Sequence, residues 1–371
     1  MPSGFLPRRA KTFVGLDIGT SRIKMVELAV HPESVELVRA AVEPTPPESL
    51  VEGRIVNPAA VAGAIKRAIA AGKFRAGDVF AAVAGQGVVV RHAKFPNMPA
   101  EELRQAMQWE AQKYIPFPVE QATLDFTVLP TEGDQQTTEV MLVAAKSELI
   151  ESHLQTMELA GLTPVAIDVQ PFTMLRALRH KRPGVPESEL RDDDAVTAYL
   201  DVGAGTTDIV IAKGELVKFT RIVPIGGAMF TKAIAERLGV GFDEAERIKI
   251  ERSRLYRRGE EMDADDVPVS EAMSEVAASL ALEIRRSIDY HDMQPVSASG
   301  GDVKSVILAG GGAALRGLDA YIGDEVGLPT EMSDPLKGII VNPRIASKWD
   351  VQASSPMLAV GIGLALREVV D

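Results

Sequence analysis

Two short runs in this sequence combine aspartate, glycine and hydroxyl residues in a pattern suited to holding phosphate. The first is Val14-Gly15-Leu16-Asp17-Ile18-Gly19-Thr20-Ser21, with Lys24 close behind. The second, almost half a chain later, is Tyr199-Leu200-Asp201-Val202-Gly203-Ala204-Gly205-Thr206-Thr207-Asp208. Each reads as an apolar strand, an Asp, an apolar residue, a Gly, small or hydroxyl residues, and another apolar strand. Glycine adopts positive φ without the penalty that a Cβ brings, and successive N–H groups in such a turn form a nest for an anion. Thr20, Ser21, Thr206 and Thr207 can donate hydroxyl hydrogen bonds, and Lys24 adds positive charge. Asp17, Asp201 and Asp208 would repel a phosphate unless a hard cation stood between them. Mg2+ suits that place, since one or two carboxylates and several waters commonly hold it. A lone D-x-G-T is an ordinary β-turn; its recurrence in two similar strand settings points to nucleotide binding.

A third cluster, Ser305-Val306-Ile307-Leu308-Ala309-Gly310-Gly311-Gly312-Ala313-Ala314-Leu315, reads as strand, glycine loop and helix. It lacks G-x-G-x-x-G spacing, which argues against a dinucleotide turn. No G-x-x-x-x-G-K-[ST] run occurs, so a P-loop is excluded.

The elements that must position these runs are legible as periodicity. In the first half, Thr12–Asp17, Ile23–Val30 and Ser34–Val42 read as strands, then Ala59–Ala71 as a helix with Val61, Ile65 and Ile69 on one face. Val79–Val83 reads as a buried strand. A compact unit from Gly85 to Val165 follows, in the order strand, helix (Ala100–Tyr114), strand, strand, helix (Ser147–Leu159). Thr131–Thr138 reads as a polar loop inside it. Phe172–His180 is expected to be a helix and Lys181–Asp194 a polar linker. The second half repeats the opening with strands Thr197–Asp201, Thr207–Ala212 and Leu216–Val223. Helices follow at Met229–Leu238, Asp243–Ser253 and Glu271–Asp289, the last with Met273, Val276, Leu280, Ile284 and Ile288 as a core stripe. A strand at Val303–Leu308, a helix at Leu315–Tyr321 and a closing helix at Pro356–Val370 complete the pattern.

Bulk properties narrow the classes. A chain of 371 residues suggests two or three domains and can bury a large core. With 0 cysteines, disulfides, zinc–cysteine sites and thiol catalysis are excluded. Net charge is -12, with 52 acidic and 40 basic residues and no dense basic run, which argues against nucleic-acid binding. The five histidines, His31, His92, His153, His180 and His291, show no metal-ligand spacing. The start of the sequence, with Arg8, Arg9 and Lys11, has no long apolar core, so no secretory signal is expected. No uncharged apolar stretch of about 18 residues suggests a membrane span.

Two phosphate turns and a late strand-glycine-helix loop resemble the superfamily of actin, DnaK-type chaperones and sugar kinases. The resemblance implies an α/β, actin-like fold of two RNase H-like lobes that clamp ATP and Mg2+. Carried over by motif, the first phosphate loop is Asp17, Gly19, Thr20, Ser21 and Lys24. The second is Asp201, Gly203, Gly205, Thr206 and Thr207, and the adenosine loop is Gly310, Gly311 and Gly312. Gln170, in Asp168-Val169-Gln170-Pro171, falls where relatives place a water-orienting residue, so Asp17, Gln170 and Asp201 are the candidate catalytic groups. Glu246 and Lys249, on a helix after Gly226-Gly227, fall where relatives reach the ribose or base. Asp17, Asp201 and Asp208 are the candidate metal residues.

The unit from Gly85 to Val165 enters the first lobe where FtsA and its kin carry subdomain 1C. Its runs Phe95-Pro96-Asn97-Met98-Pro99, Glu101-Glu102-Leu103, Glu110-Ala111, Tyr114-Ile115-Pro116-Phe117 and Ala144-Ala145-Lys146 are similar to the type IV pilus assembly protein PilM family. The implied division is 1–84 with 166–198 and 345–371 for the first lobe core (1A), 85–165 for subdomain 1C, and 199–344 for the second lobe, with a helical 2B at about 230–300. The resemblance implies an ATP-binding cytoplasmic scaffold of the pilus inner-membrane platform. Its implied partners are the cytoplasmic N-terminal tail of PilN, in a groove between 1A and 1C, and PilB/PilT-type motor ATPases. Membrane contact would come only through partners, self-association stays open, and any ATPase activity would be slow. FtsA, a division-filament anchor, is the alternative; it normally ends in a basic amphipathic helix, which Leu366-Arg367-Glu368-Val369-Val370-Asp371 does not resemble. A sugar kinase would need a further base in the cleft, and DnaK-type chaperoning would need a peptide-binding domain.

Overall fold

The computed structural model describes residues 10–75, 77–129, 136–179, 181–190, 192, 194–257, 259–264, 266–295, 300–346 and 351–370. Arg8, Arg9, His180, Asp193 and most of the polar loop expected at Thr131–Thr138 lie outside these. The chain opens with β1 (Lys11–Ile18), β2 (Arg22–Val30) and β3 (Val35–Pro44), then a short ribbon of β4 (Leu50–Val51) and β5 (Arg54–Ile55). Helix α1 (Pro58–Gly72) and β6 (Asp78–Val83) follow. The inserted module contributes β7 (Val88–Pro96), α2 (Ala100–Glu110), β8 (Ala122–Val128), β9 (Thr137–Lys146) and α3 (Ser147–Ala160). The chain returns through β10 (Thr163–Val169) and α4 (Gln170–Leu178).

The second half carries β11 (Val196–Val202), β12 (Thr207–Lys213), β13 (Leu216–Val223), α5 (Gly227–Leu238), α6 (Phe242–Glu251), α7 (Val267–Asp292), β14 (Val303–Ala309) and α8 (Leu318–Val326). Then come β15 (Thr330–Met332), β16 (Ile339–Val341), α9 (Pro343–Ala346), α10 (Val351–Ser354), α11 (Ala359–Ala365) and α12 (Arg367–Val370).

The two large sheets are built alike. One runs β10-β6-β1-β2-β3-β16 and the other β13-β12-β11-β14-β15. In each, three strands form an antiparallel meander and the first of them pairs in parallel with a later strand, β1 with β6 and β11 with β14. The echo between the two halves of the sequence is therefore an echo of topology. β16 is an addition, reaching back from the second half to pair with β3.

Local chemistry explains the main elements. Asn57 Oδ1 accepts from the Ala60 N–H at 3.2 Å and Pro58 opens α1, the usual start of a helix. Met273, Val276, Leu280, Ile284 and Ile288 of α7 are buried in the core of the second lobe with Leu200, Ile209 and Phe230. α3 serves two parts of the molecule: Met157 and Ala160 join the core of α1 and β1, while Leu149 packs with Val90 and Met141 of the module.

Several expected elements differ in extent: α7 begins at Val267, ahead of Glu271, α4 begins at Gln170, ahead of Phe172, and three others are reshaped by local causes. The helix expected over Ala100–Tyr114 is α-helical to Glu110 and tightens to a 3-10 turn at Ala111–Lys113, just before Pro116. The helix expected at Leu315–Tyr321 begins at Leu318, because Gly312–Ala314 forms a 3-10 turn and Gly317, at φ 82, resets the backbone first. The closing helix is broken into a 3-10 turn at Ser355–Leu358, then α11 and α12.

Within the first lobe, α4 and α11 cross tightly. A Cβ on Gly363 would lie 1.7 Å from the Thr173 carbonyl oxygen. Arg176 Nη1 donates to the Gly363 carbonyl at 3.1 Å. The buried Asp168 carboxylate binds Arg176 at 3.2 Å and Arg367 at 3.0 Å. Gly363→Ala forces this crossing apart, and overpacking of this kind costs about 1–3 kcal/mol or more. A drop in melting temperature of several degrees is expected in thermal denaturation, and an unchanged value would show that the crossing yields easily.

Candidate functional site

The two aspartate-glycine turns face each other. Thr20 Oγ1 lies 3.5 Å from where a Cβ on Gly205 would stand. In the first turn, the Gly19 N–H donates to the Arg22 carbonyl at 3.1 Å. Thr45, from the proline-rich stretch after β3, braces this turn: its Oγ1 donates to Gly19 O at 2.7 Å and its N–H to Ser21 O at 2.9 Å. Asp17 and Lys24 are register partners on β1 and β2, and Lys24 Nζ binds Asp17 Oδ2 at 2.5 Å.

In the second turn, the Gly203 N–H donates to Thr206 O at 2.9 Å. The carbonyls of Gly203 and Ala204 accept from the N–H groups of Gly227 and Ala228 at 2.9 and 2.8 Å, so the first turn of α5 is spent on holding this loop. Thr207 is fully buried and its hydroxyl donates to Ile225 O at 2.7 Å. That hydroxyl fixes the hairpin to the strand-to-helix corner and is not turned toward a phosphate. Thr20, Ser21 and Gly205 are exposed, and Thr206 is half-buried.

Between the turns lies a seam of buried carboxylates. Asp17, Asp201 and Asp208 are all buried, and Asp201 and Asp208 are register partners on β11 and β12. Gln170, the first residue of α4, donates its side-chain amide to Asp201 Oδ2. Burial raises Asp201 to about 6, with Lys24 opposing, Asp17 adding to the rise and the Gln170 bond opposing. Asp208 is pushed up to about 8, first by burial and then by the charge of Asp201. Asp208 Oδ1 is buried and has no hydrogen-bond partner. An orphaned buried carboxylate oxygen beside a second carboxylate is a site that a cation or a proton must complete.

The third glycine loop closes on the second turn. Gly310 adopts φ 88, and a Cβ there would stand 2.2 Å from Asp201 Oδ1. Only glycine fits that close approach. Its N–H donates to Pro356 O at 2.9 Å, and a Cβ on Gly312 would lie 3.0 Å from Gly203 O. Gly311 is exposed beside it.

Glu246 and Lys249 come to the same place on α6. Lys249 Nζ donates to Gly227 O at 2.9 Å, to Thr231 Oγ1 at 2.8 Å and to Glu246 Oε2 at 2.7 Å, and Thr231 also bonds Glu246. A Cβ on Gly227 would lie 3.6 Å from Lys249 Nζ and 3.7 Å from the Gly312 Cα. The structure thus brings the two turns, Gln170, the third glycine loop, Glu246 and Lys249 around one seam, with the Thr207 hydroxyl turned away from it. It adds Thr45 and Thr231, which sequence reasoning missed; a threonine between prolines and one inside a helix carry no distinguishing local signal. Among the described residues, no group of three or more His, Asp or Glu side chains forms a ready-made metal cage. A cation here would draw its remaining ligands from water and from its counter-anion.

A family model described as type IV pilus assembly protein PilM matches residues 15–369. Among solved structures, a PilM-PilN type IV pilus biogenesis complex is similar at TM-score 0.82 and 32% identity, covering 96% of this chain and 98% of that one. The cell division protein FtsA of Bacillus subtilis is 24% identical over 95% of this chain and 82% of its own. MreB 5 of Spiroplasma citri, solved bound to AMPPNP, shares the fold at TM-score 0.52 and 15% identity, covering 95% of this chain and 94% of that one. The fold is thus the actin-like α/β fold that the sequence led one to expect.

The raised Asp208 gives a test without added nucleotide or metal. The folded state binds its proton up to about 8, whereas the ordinary value is 3.8. Between those values the folded state holds the extra proton, so stability falls as pH rises through this window. Asp208→Asn cannot ionise and removes that slope. The melting-temperature gain of the variant over the parent should therefore be larger at about pH 8.5 than at about pH 6. Equal gains at both would mean that Asp208 is already ionised in the fold.

Proposed function

Because the chain belongs to the type IV pilus assembly protein PilM family, we propose that it is an ATP-binding scaffold of the pilus inner-membrane platform. The observation that carries the nucleotide half of this reading is the seam: two turns face each other across buried carboxylates, one with an unpartnered oxygen. Gly19, Thr20, Ser21 and Lys24 would hold the phosphates from the first lobe, and Gly203, Gly205 and Thr206 from the second. Gly310, Gly311 and Gly312, with Glu246 and Lys249 beside them, would hold the nucleoside end. Asp17, Asp201 and Asp208 would hold Mg2+, directly or through water, and Mg2+ would neutralise the phosphates against these carboxylates. Lys24, paired with Asp17 in this structure, would be available to a phosphate oxygen were Mg2+ to take that carboxylate. Gln170, anchored on Asp201, is placed to orient a water.

The arrangement favours binding over turnover. Asp201 is bonded to Gln170 and Asp17 to Lys24, so these carboxylates are engaged in holding the seam. Hydrolysis, where it occurs, is slow, and the nucleotide serves to set how the lobes close. A ligand biases such closure only by its differential affinity for the two states.

The platform half of the reading follows from family membership. The solved relative is a complex with PilN, and the inserted module (85–165) beside the first lobe (1–84, 166–198 and 345–371) is the proposed receptor for the PilN cytoplasmic tail. PilB/PilT-type motor ATPases are the proposed further contacts. No helix among the described residues is long and apolar enough to cross a membrane, so attachment at the inner face of the inner membrane would run through partners.

Two measurements test this reading. Mg-ATP at about 1,000 times its Kd should stabilise the fold by about 4 kcal/mol, read as a rise in melting temperature. Asp201→Ala should abolish that rise; a full rise in the variant would remove Asp201 from the site. A labelled PilN-tail peptide should bind by fluorescence anisotropy, whereas phosphate transfer to sugars without peptide binding would replace the scaffold with a kinase.

A further inference from the structure

The inserted module touches the second lobe as well as the first. β7 is the edge strand of the module's sheet, β13 is an edge strand of the second lobe's sheet, and the two lie side by side. His92 on β7 binds the Val217 carbonyl on β13 through Nε2 at 2.5 Å. Burial lowers the His92 pKa, the bond to Val217 and Glu139 oppose this, and Lys218 adds to it, so the ring is a neutral N–H donor. Around this bond one apolar cluster joins all three parts of the molecule. Val90 and Met141 come from the module, Met174 from α4, and Val210 and Val217 from the second lobe.

A half-open pocket of about 240 Å3 borders this junction, with Val88, Arg91 and Pro116 of the module on one side, Pro171 at the start of α4, and Asp208 and Ile222 on the other. Solvent reaches the edge of the module's contact with the second lobe through this opening. The same pocket is bounded by Asp208, a carboxylate of the seam. Val217 lies about 16 Å along β13 from Ile222 at ordinary strand spacing, so the His92 bond acts at a distance from the phosphate turns.

The α4–α11 crossing, by contrast, is tight and braced by buried ion pairs. That crossing keeps the first lobe rigid, so the module's contact with β13 is a point where a rigid first lobe grips the second.

We propose that the inserted module is a latch on the cleft: docked on β13 through His92 and the apolar patch, it holds the second lobe's phosphate turn against the first, and its undocking opens the cleft and releases nucleotide. This deepens the nucleotide reading of the seam and rests on it for the ligand released. A protein partner that grips the module and draws it from β13 would act as an exchange factor.

The absence of native cysteine makes the test clean. His92→Cys with Val217→Cys introduces one pair on the two strands that the His92–Val217 bond brings together, and a disulfide forms where their Cα atoms come within about 7 Å. Under mild oxidation the pair should crosslink. Amide hydrogen exchange in the turns 18–22 and 202–206 should then slow about tenfold, and mant-ADP should dissociate about tenfold more slowly, a change worth about 1.4 kcal/mol. Reduction should restore both rates. The single variant His92→Ala should shift both in the opposite direction. Failure to crosslink, or a complete crosslink with unchanged exchange in the turns, would overturn the latch. Slowed exchange in the turns without any mant-ADP binding would support the latch and sink the nucleotide reading instead.

Discussion

The structure is organised around an electrostatic liability: Asp201 and Asp208, side by side on neighbouring strands and both out of water, with Asp17 close by. Bringing like charges together in a low-dielectric sheet is expensive, and proteins keep such an arrangement where a cation or a proton is to be exchanged there. Lys24 neutralises one carboxylate and Gln170 donates to a second. The third keeps an unpartnered oxygen. The backbone around this cluster is correspondingly specialised, because Gly310 comes so close to Asp201 that no side chain fits.

Holding that cluster requires two rigid sheets aimed at one point, and the chain achieves this by using the same strand order twice. β1–β2 and β11–β12 each present a turn at the end of a meander, and the later parallel strand of each half stiffens it from the other side. α4 begins at the seam with Gln170 and runs into the α11 crossing, so the residue that touches Asp201 is tied to the first lobe's closing helix. The inserted module then adds a contact that neither sheet provides, between β7 and β13.

Much of this was legible from the sequence because its causes are local. An Asp-x-Gly turn between apolar strands announces itself through its residue types and the charge of its aspartate, although Gly19, Gly203 and Gly205 do not use the positive φ expected of them and only Gly310 of the three runs does; the stripe on α7 is visible as a period of three to four. The actin-like architecture and the meeting of the glycine runs followed from those signals. Other features are set by distant partners. β15 and β16 are three residues each and exist because of β14 and β3. The start of α8 depends on the conformation of Gly317, which a run of helix-compatible residues conceals. The hydroxyl of Thr207 turns to Ile225 because a strand-to-helix corner happens to need a donor there. His92 resembled any scattered histidine until the fold set it against Val217.

The reach of β16 and α11 back into the first lobe also orders the birth of the molecule. The apolar faces of β1 and β2 are covered in part by Leu358, Val360, Ile362 and Leu364, which a ribosome delivers only after the entire second lobe. The nascent first lobe must wait, partly uncovered, while its twin folds and sends back the missing wall. Growing chains of this topology therefore expose a sticky sheet for most of their synthesis, and a premature stop anywhere in the second half strands the first half unfinished.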